Sequence, residues 1–210
     1  MDMSTDSANE QLLLEAAQAG DEDSFRALVE GRRAELHAHC YRMLASWDDA
    51  DDALQEALIR AWKGLPRFEG RSSLRTWLFT ITSNVALDLA SRRARRELPV
   101  AFAASTEADE SPGATVTEIP WIGPYAAPST ESSLGLPEAR YAGRESIELA
   151  FVAALQYLPA HQRAVFILRE ALGFPAVEAA KILETSVAAV NSALQRARAG
   201  APKNVPSLPL

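Results

Sequence analysis

The stretch PAHQRAVFILREALGFPAVEAAKILETSVAAVNSALQRARA, residues 159–199, decides the fold. Apolar residues recur there at helical spacing, over about 161–171, 175–183 and 187–199, and the breaks have chemical causes. Gly173 and Pro175 open the short middle helix, Glu184-Thr185-Ser186 makes a three-residue turn, and Ser186 caps the helix that follows. That is helix-turn-helix spacing. In the last helix Val187, Val190, Leu194 and Ala197 form a packing stripe, leaving Ala189, Ser192 and Arg196 outward with Asn191 and Gln195 on the flanks. Small residues let a helix approach a groove closely, and Asn, Gln and Arg carry the paired donors and acceptors that read base edges. A helical hairpin packed on another helix is the alternative that spacing alone leaves open.

Toward the N-terminus the periodicity stays helical, over roughly 9–19, 23–45, 49–64, 73–94 and 144–157, with no alternating strand pattern and no internal repeat. Asp48 is expected as a capping acid and Ser72 as the N-cap ahead of Leu74, while Pro66 and Gly70 interrupt the pattern between two helices. In the fourth helix Leu74, Trp77, Leu78, Ile81, Val85 and Leu89 share one stripe, so Thr76, Thr80 and Ser83 are expected to face away, with Asn84 at the flank. That helix runs into Arg92, Arg93, Arg95 and Arg96, which also complement the helix dipole by roughly 0.3–1 kcal/mol each. Residues 97–143 hold six of the 12 prolines among Gly, Ser, Thr and acids, a composition that cannot bury enough surface to offset its ordering entropy. The expected class is therefore all-α, two helical bodies joined by a long Pro/acid-rich linker.

Charge is segregated along the 210 residues. Residues 1–56 carry 14 acids against 4 bases and residues 57–96 carry 9 bases against 2 acids. Residues 97–148 return to 9 acids and 2 bases, and 149–210 hold 6 bases and 3 acids. The Debye length of about 8 Å at physiological salt lets such blocks act separately, so a polyanion is drawn to the second and fourth although the net charge is −7. A solvated helix face is the plainer reading of either block alone. No apolar run approaches the roughly 18 residues of a membrane helix, and the N-terminus lacks the pattern of a signal peptide, which points to the cytoplasm. Cys40 is the single cysteine, so no disulfide can form within the chain. His37 and His39 lie near it, but His39 points some 200° from His37 on a helix, so the three cannot converge on one ion and are read as packing residues. No nucleophile elbow, phosphate-cradling Gly loop or HExxH is present; no cofactor is implied, and an enzyme reading has no candidate site.

Two passages together resemble the extracytoplasmic-function (ECF) group of bacterial RNA polymerase sigma factors, of the sigma-70 family. DADDALQEALIRAW (49–62) with RFEGRSSLRTWLFTITSNVALDLASRRARR (67–96) is similar to sigma region 2, and YLPAHQRAVFILREALGFPAVEAAKILETSVAAVNSALQRARA (157–199) is similar to region 4. The resemblance implies a region 2 unit over 1–96, a flexible linker over 97–143, a region 4 unit over 144–200 and a tail over 201–210. It also implies a subunit that joins core RNA polymerase, reads the minus-35 duplex with region 4 and captures the melted minus-10 strand with region 2. On this reading Asp49, Asp51, Asp52, Gln55, Glu56 and Arg60 would meet the clamp helices of the largest polymerase subunit, and region 4 the flap of the second. Gly70, Arg71, Ser72, Ser73, Arg75, Thr80 and Asn84 would hold a flipped base of the minus-10 strand, and Arg92, Arg93, Arg95 and Arg96 its phosphates. Trp77 is read as core, although the family places aromatic residues around this pocket. Ala189, Asn191, Ser192, Gln195 and Arg196 would face the minus-35 element, with Arg198 and Lys203 steering. Ala188, Ala189 and Ala193 stand where the family often has basic residues, which leaves the element read unspecified.

The linker sequence WIGPY, Trp121 to Tyr125, resembles a motif of the sigma-G-like subgroup and is read as an anchor for the linker on polymerase or across a sigma domain. Many members of that subgroup continue into a SnoaL-like domain; the tail from Pro202 to Leu210 is too short to be one, so such regulation does not transfer. An anti-sigma factor is an optional further partner, and an acidic linker can compete with DNA for the Arg92 to Arg96 patch. Two other readings stay open at the level of sequence. One is a stand-alone helix-turn-helix regulator that binds an operator without polymerase; the other is an interaction module that sequesters a sigma factor or a part of polymerase.

Overall fold

Asp21 starts the scaffold. Its carboxylate accepts the Ser24 amide at 3.2 Å and caps α2 (Glu22–Leu44), and the hydrogen bonds from Ser24 hold that carboxyl below the usual range. The computed structural model describes residues 3–96 and 151–200, the side chains of 3–8, 93–96 and 200 excepted. The linker, the WIGPY motif, Lys203 and the tail lie outside the described residues. Around α2 stand α1 (Met3–Gln18), α3 (Trp47–Gly64), a 3-10 turn (Leu65–Arg67) and α4 (Leu74–Arg96). The second group comprises a helical stretch, α5, over 151–156, then α6 (Ala160–Phe166), a π turn (Ile167–Ala171), α7 (Ala176–Ile182) and α8 (Val187–Gly200). Every regular element among the described residues is helical.

Two expected caps move by one or two residues. The oxygen that caps α3 belongs to Ser46, accepting from the Asp49 amide at 3.3 Å, because Asp48 already lies inside the first turn. At α4 the cap is Ser73, whose hydroxyl accepts the Thr76 amide at 3.1 Å, rather than Ser72. Ser186 caps α8 as expected, accepting from the Ala189 amide at 3.1 Å. The helix read over 161–171 is interrupted: its last turn widens to π geometry, with the Leu172 amide reaching the Ile167 carbonyl at 3.0 Å.

α2, α3 and α4 pack on one another with α1 against α2, and α6 and α7 pack on α8. Leu36, Met43, Leu54, Leu78 and Phe79 are sealed in the first group; Ile167, Leu168, Ile182, Val190 and Ala197 are sealed in the second. Each fully buried large side chain is worth about 1.5–3 kcal/mol relative to exposure, so the apolar stripes rather than the caps decide where these helices sit. His39 and Cys40 are completely buried in this core. His39 Nε2 lies 3.0 Å from the Ser83 hydroxyl, and burial depresses its pKa to about 3. Burial pushes the Cys40 thiol up to about 12. The His37 ring meets that of Trp47 at a tilt of 54°, 4.4 Å between centroids, and its Nε2 lies 3.2 Å from Asp51.

The polar face of α4 departs from expectation. Thr76 and Ser83 are buried, at 3% and 0% exposure, because His39 on α2 and α7 from the second group cover them.

Candidate nucleic-acid interface

The chain between α3 and α4 forms a cleft of about 220 Å³ lined by Arg67, Phe68, Glu69, Arg71, Ser72 and Trp77. That is below the roughly 300–1,000 Å³ of a drug-sized site and scaled to a single ring system. Trp77 is half-buried rather than sealed, and its ring meets Phe68 at 5.0 Å between centroids. Gly64 makes room for it, since a Cβ there would come within 3.3 Å of the indole. Gly70 turns the loop at φ +70°, a conformation that favours glycine. Arg67 and Arg71 are exposed at the mouth, Arg71 paired with Glu69. Behind the cleft the Gln18 amide of α1 donates to the carbonyls of Leu65 (3.3 Å) and Phe68 (2.8 Å), fixing the turn that presents the Phe68 ring. Aromatic faces with guanidinium groups at the rim are the chemistry that holds an unstacked base and its phosphates.

Of the residues read from sequence for this site, Arg71 and Ser72 line the cleft, Gly70 shapes its loop, and Ser73 is occupied as a helix cap. Arg75 is engaged elsewhere: its guanidinium pairs with Glu35 of α2, Nε at 3.2 Å, and lies over the Phe174 ring. Thr80 donates back to the Thr76 carbonyl at 2.9 Å, and the Asn84 amide reaches Glu184 at 3.5 Å. Arg92 is exposed; Arg93, Arg95 and Arg96 end α4, and their side chains lie outside the described set. Phe68, Arg67 and Gln18 were not legible as site residues. Phe68 sits in a short loop with no periodicity, and the bonds of Gln18 span 47 and 50 residues.

Two other surfaces carry the remaining candidates. On α3, Asp52, Gln55, Glu56, Ile59 and Arg60 share one outward stripe. Within it Arg60 Nε pairs with Glu56 at 2.8 Å, with Asp88 3.9 Å from the same guanidinium, and Ile59 is 42% exposed. Asp51 turns toward His37, and Asp49 sits half-buried in the first turn. On α8, Ala189, Asn191, Ser192, Gln195 and Arg196 are all exposed, whereas Arg198 pairs with Glu170 at 2.7 Å. Val187, expected in the packing stripe, is the first residue of α8 and is 38% exposed. Ala193 is buried in its place.

Family models described as sigma-70 region 2 and sigma-70 region 4 match residues 28–96 and 148–199. The RNA polymerase sigma-H factor of Pseudomonas aeruginosa is 30% identical over 189 residues, 90% of either chain. The chain belongs to the ECF group of sigma-70 factors. The ECF RNA polymerase sigma factor SigG of Mycobacterium tuberculosis H37Rv is 44% identical over 174 residues, 83% of this chain and 46% of SigG. This ECF chain therefore spans about half the length of SigG. Among solved structures, the sigma factor RpoE of Bartonella quintana in complex with the anti-sigma factor NepR superposes with a TM-score of 0.56 at 25% identity, covering 84% of this chain and 93% of that one. Among the described residues of this ECF factor, no helix is long and apolar enough to cross a membrane.

Proposed function

We propose that this chain acts in the cytoplasm as a promoter-specificity subunit that binds core RNA polymerase and directs initiation. Residues 1–96 form the unit that binds polymerase and the minus-10 strand, 144–200 the unit that reads the minus-35 duplex, 97–143 the connector and 201–210 a tail. The observation that carries this reading is the cleft between α3 and α4. It pairs the rings of Phe68 and Trp77 with the cations Arg67 and Arg71, on the segment matched by the region 2 family model. A base leaving the duplex would stack on the rings while its flanking phosphates meet Arg67, Arg71 and the arginines ending α4. Asn191, Ser192, Gln195 and Arg196, exposed on the second helix of the helix-turn-helix, would lie along the major groove, each good base contact contributing about 1–3 kcal/mol. The α3 stripe around Ile59 suits docking on the clamp helices, where an exposed apolar side chain ringed by charges gains most from burial. Region 4 would meet the flap, and an anti-sigma factor, as in the RpoE complex with NepR, is a further partner class.

Co-elution with purified core polymerase, followed by run-off transcription from a promoter library, tests the proposal. A stable assembly that opens new start sites is expected. Specific duplex binding by the chain alone, with no assembly, would assign it to operator binding instead.

A further inference from the structure

From Val187 through Gln195 the leading part of α8 carries no charged side chain. At about 100° per residue, Val187, Ala188, Asn191, Ser192 and Gln195 fall within roughly 140° of arc, and all are exposed. Val190, Ala193 and Leu194 turn the other way into the core, so this arc is what the helix presents. Val187 stands at its head as a large apolar side chain left 38% exposed. The Ser186 hydroxyl, taken up by the Ala189 amide at 3.1 Å, pins that first turn, which gives Val187 and Ala188 fixed places. The cations of the helix are set apart from it. Arg196 falls about 40° beyond the edge of the arc, and Arg198, about three turns along, is held by Glu170 at 2.7 Å.

Such a surface restricts what it can read. Guanine is read most often by a cationic side chain on O6 and N7, and cytosine by a carboxylate on its amine; the arc has neither. An A·T pair offers what matches it: the thymine methyl meets apolar side chains, and adenine N6 and N7 meet a bidentate amide. The N-terminal residues of a recognition helix are the ones that touch base edges, which puts Val187, Ala188 and Asn191 foremost. We infer that α8 selects A·T pairs in the minus-35 duplex, Val187 and Ala188 packing on thymine methyl groups and Asn191 pairing with adenine, so that Val187 is a specificity-determining residue. This rests on the minus-35 reading, which the region 4 family model over 148–199 supports, and the experiment separates the two. Deoxyuridine keeps every hydrogen-bonding group of thymidine and lacks only the methyl, and one buried methyl is worth about fourfold in affinity.

The full chain assembled with core polymerase is offered promoter duplexes randomised over one helical turn of the minus-35 region, and the tightest duplex is remade with deoxyuridine for thymidine there. Enrichment of A·T pairs is expected, with the deoxyuridine duplex bound about tenfold more weakly, the loss of roughly two methyl contacts. Val187→Ala puts a good helix former at an exposed position, so the thermal midpoint should hold. The variant should bind the thymidine duplex about fourfold more weakly and lose correspondingly less on the deoxyuridine swap. Enrichment of G·C pairs, equal binding of the two duplexes, or a swap that costs Val187→Ala as much as the parent overturns the inference while the minus-35 reading stands. An assembly that enriches no sequence there sinks the minus-35 reading and the inference with it.

Discussion

His39 and Ser83 show how a single buried pair sets a pH response. With its folded pKa near 3 against 6.5 unfolded, His39 stays neutral in the native chain while the unfolded chain takes up a proton. Its contribution is complete above pH 6.5 and is lost as pH falls from 6.5 toward 3, on the order of 1 kcal/mol per pH unit. His37 shifts the same way, mainly through burial, with Asp51 opposing. Urea unfolding between pH 7.5 and 5 should therefore show a falling midpoint, and His39→Gln should flatten that slope. In the cleft, Trp77→Ala should weaken capture of the melted strand by about 1–3 kcal/mol, the worth of one base stacked on a ring, measured as open-complex lifetime with core polymerase. Gln18→Leu touches no DNA in this arrangement. It should shorten that lifetime while leaving the affinity for core unchanged, because it frees the Phe68 turn and leaves the α3 stripe intact.

Elements differ in how much of them the sequence discloses. The helix-turn-helix was legible nearly to the residue, because Ser186 caps α8 and Val190, Leu194 and Ala197 repeat at helical spacing against near neighbours. α4 was half legible. Its Leu74, Leu78 and Val85 stripe is buried as read, but Thr76 and Ser83 are buried too, Thr76 by α7 through Glu178, 102 residues away in sequence, and Ser83 by His39, 44 residues away. A polar residue satisfied by so distant a partner leaves no local periodicity. The caps slipped because Ser46 and Asp48, or Ser72 and Ser73, are chemically interchangeable at that position and only backbone geometry chooses. On α3, Ile59→Glu should abolish co-elution with core while leaving the thermal midpoint almost unchanged, since the side chain is exposed and away from the packed stripe. Ser46→Ala should instead lower stability by about 1 kcal/mol through the lost cap, seen in urea unfolding.

At the scale of the molecule, part of the charge read from sequence now has a place: of the second block, Arg67 and Arg71 line the cleft, Arg60 pairs on the α3 stripe, Arg75 pairs with Glu35 and Arg92 to Arg96 end α4, while Arg196 stands on α8. Arg196→Ala should weaken duplex binding by the assembled holoenzyme and reduce the slope of log affinity against log salt by about 1, if its partner is a phosphate. Loss of discrimination at one base pair, with the slope retained, would place it on a base edge instead. The two helical groups were legible in the sequence, but not the contact between them, because Phe79 and Phe174 lie far apart in the chain and no local pattern links them. The mortar between them has a mechanical result. In α2 the idle oxygens at Arg42 and Met43 are taken up by donors from more than a hundred residues downstream. When those donors depart, water must replace them, and the corner at Ala45, already bent into a left-handed turn at φ 57°, loses its outer brace just where α3 is rooted. Separating the helix-turn-helix half would thus slacken the footing of α3, and the two helical groups share a single knuckle.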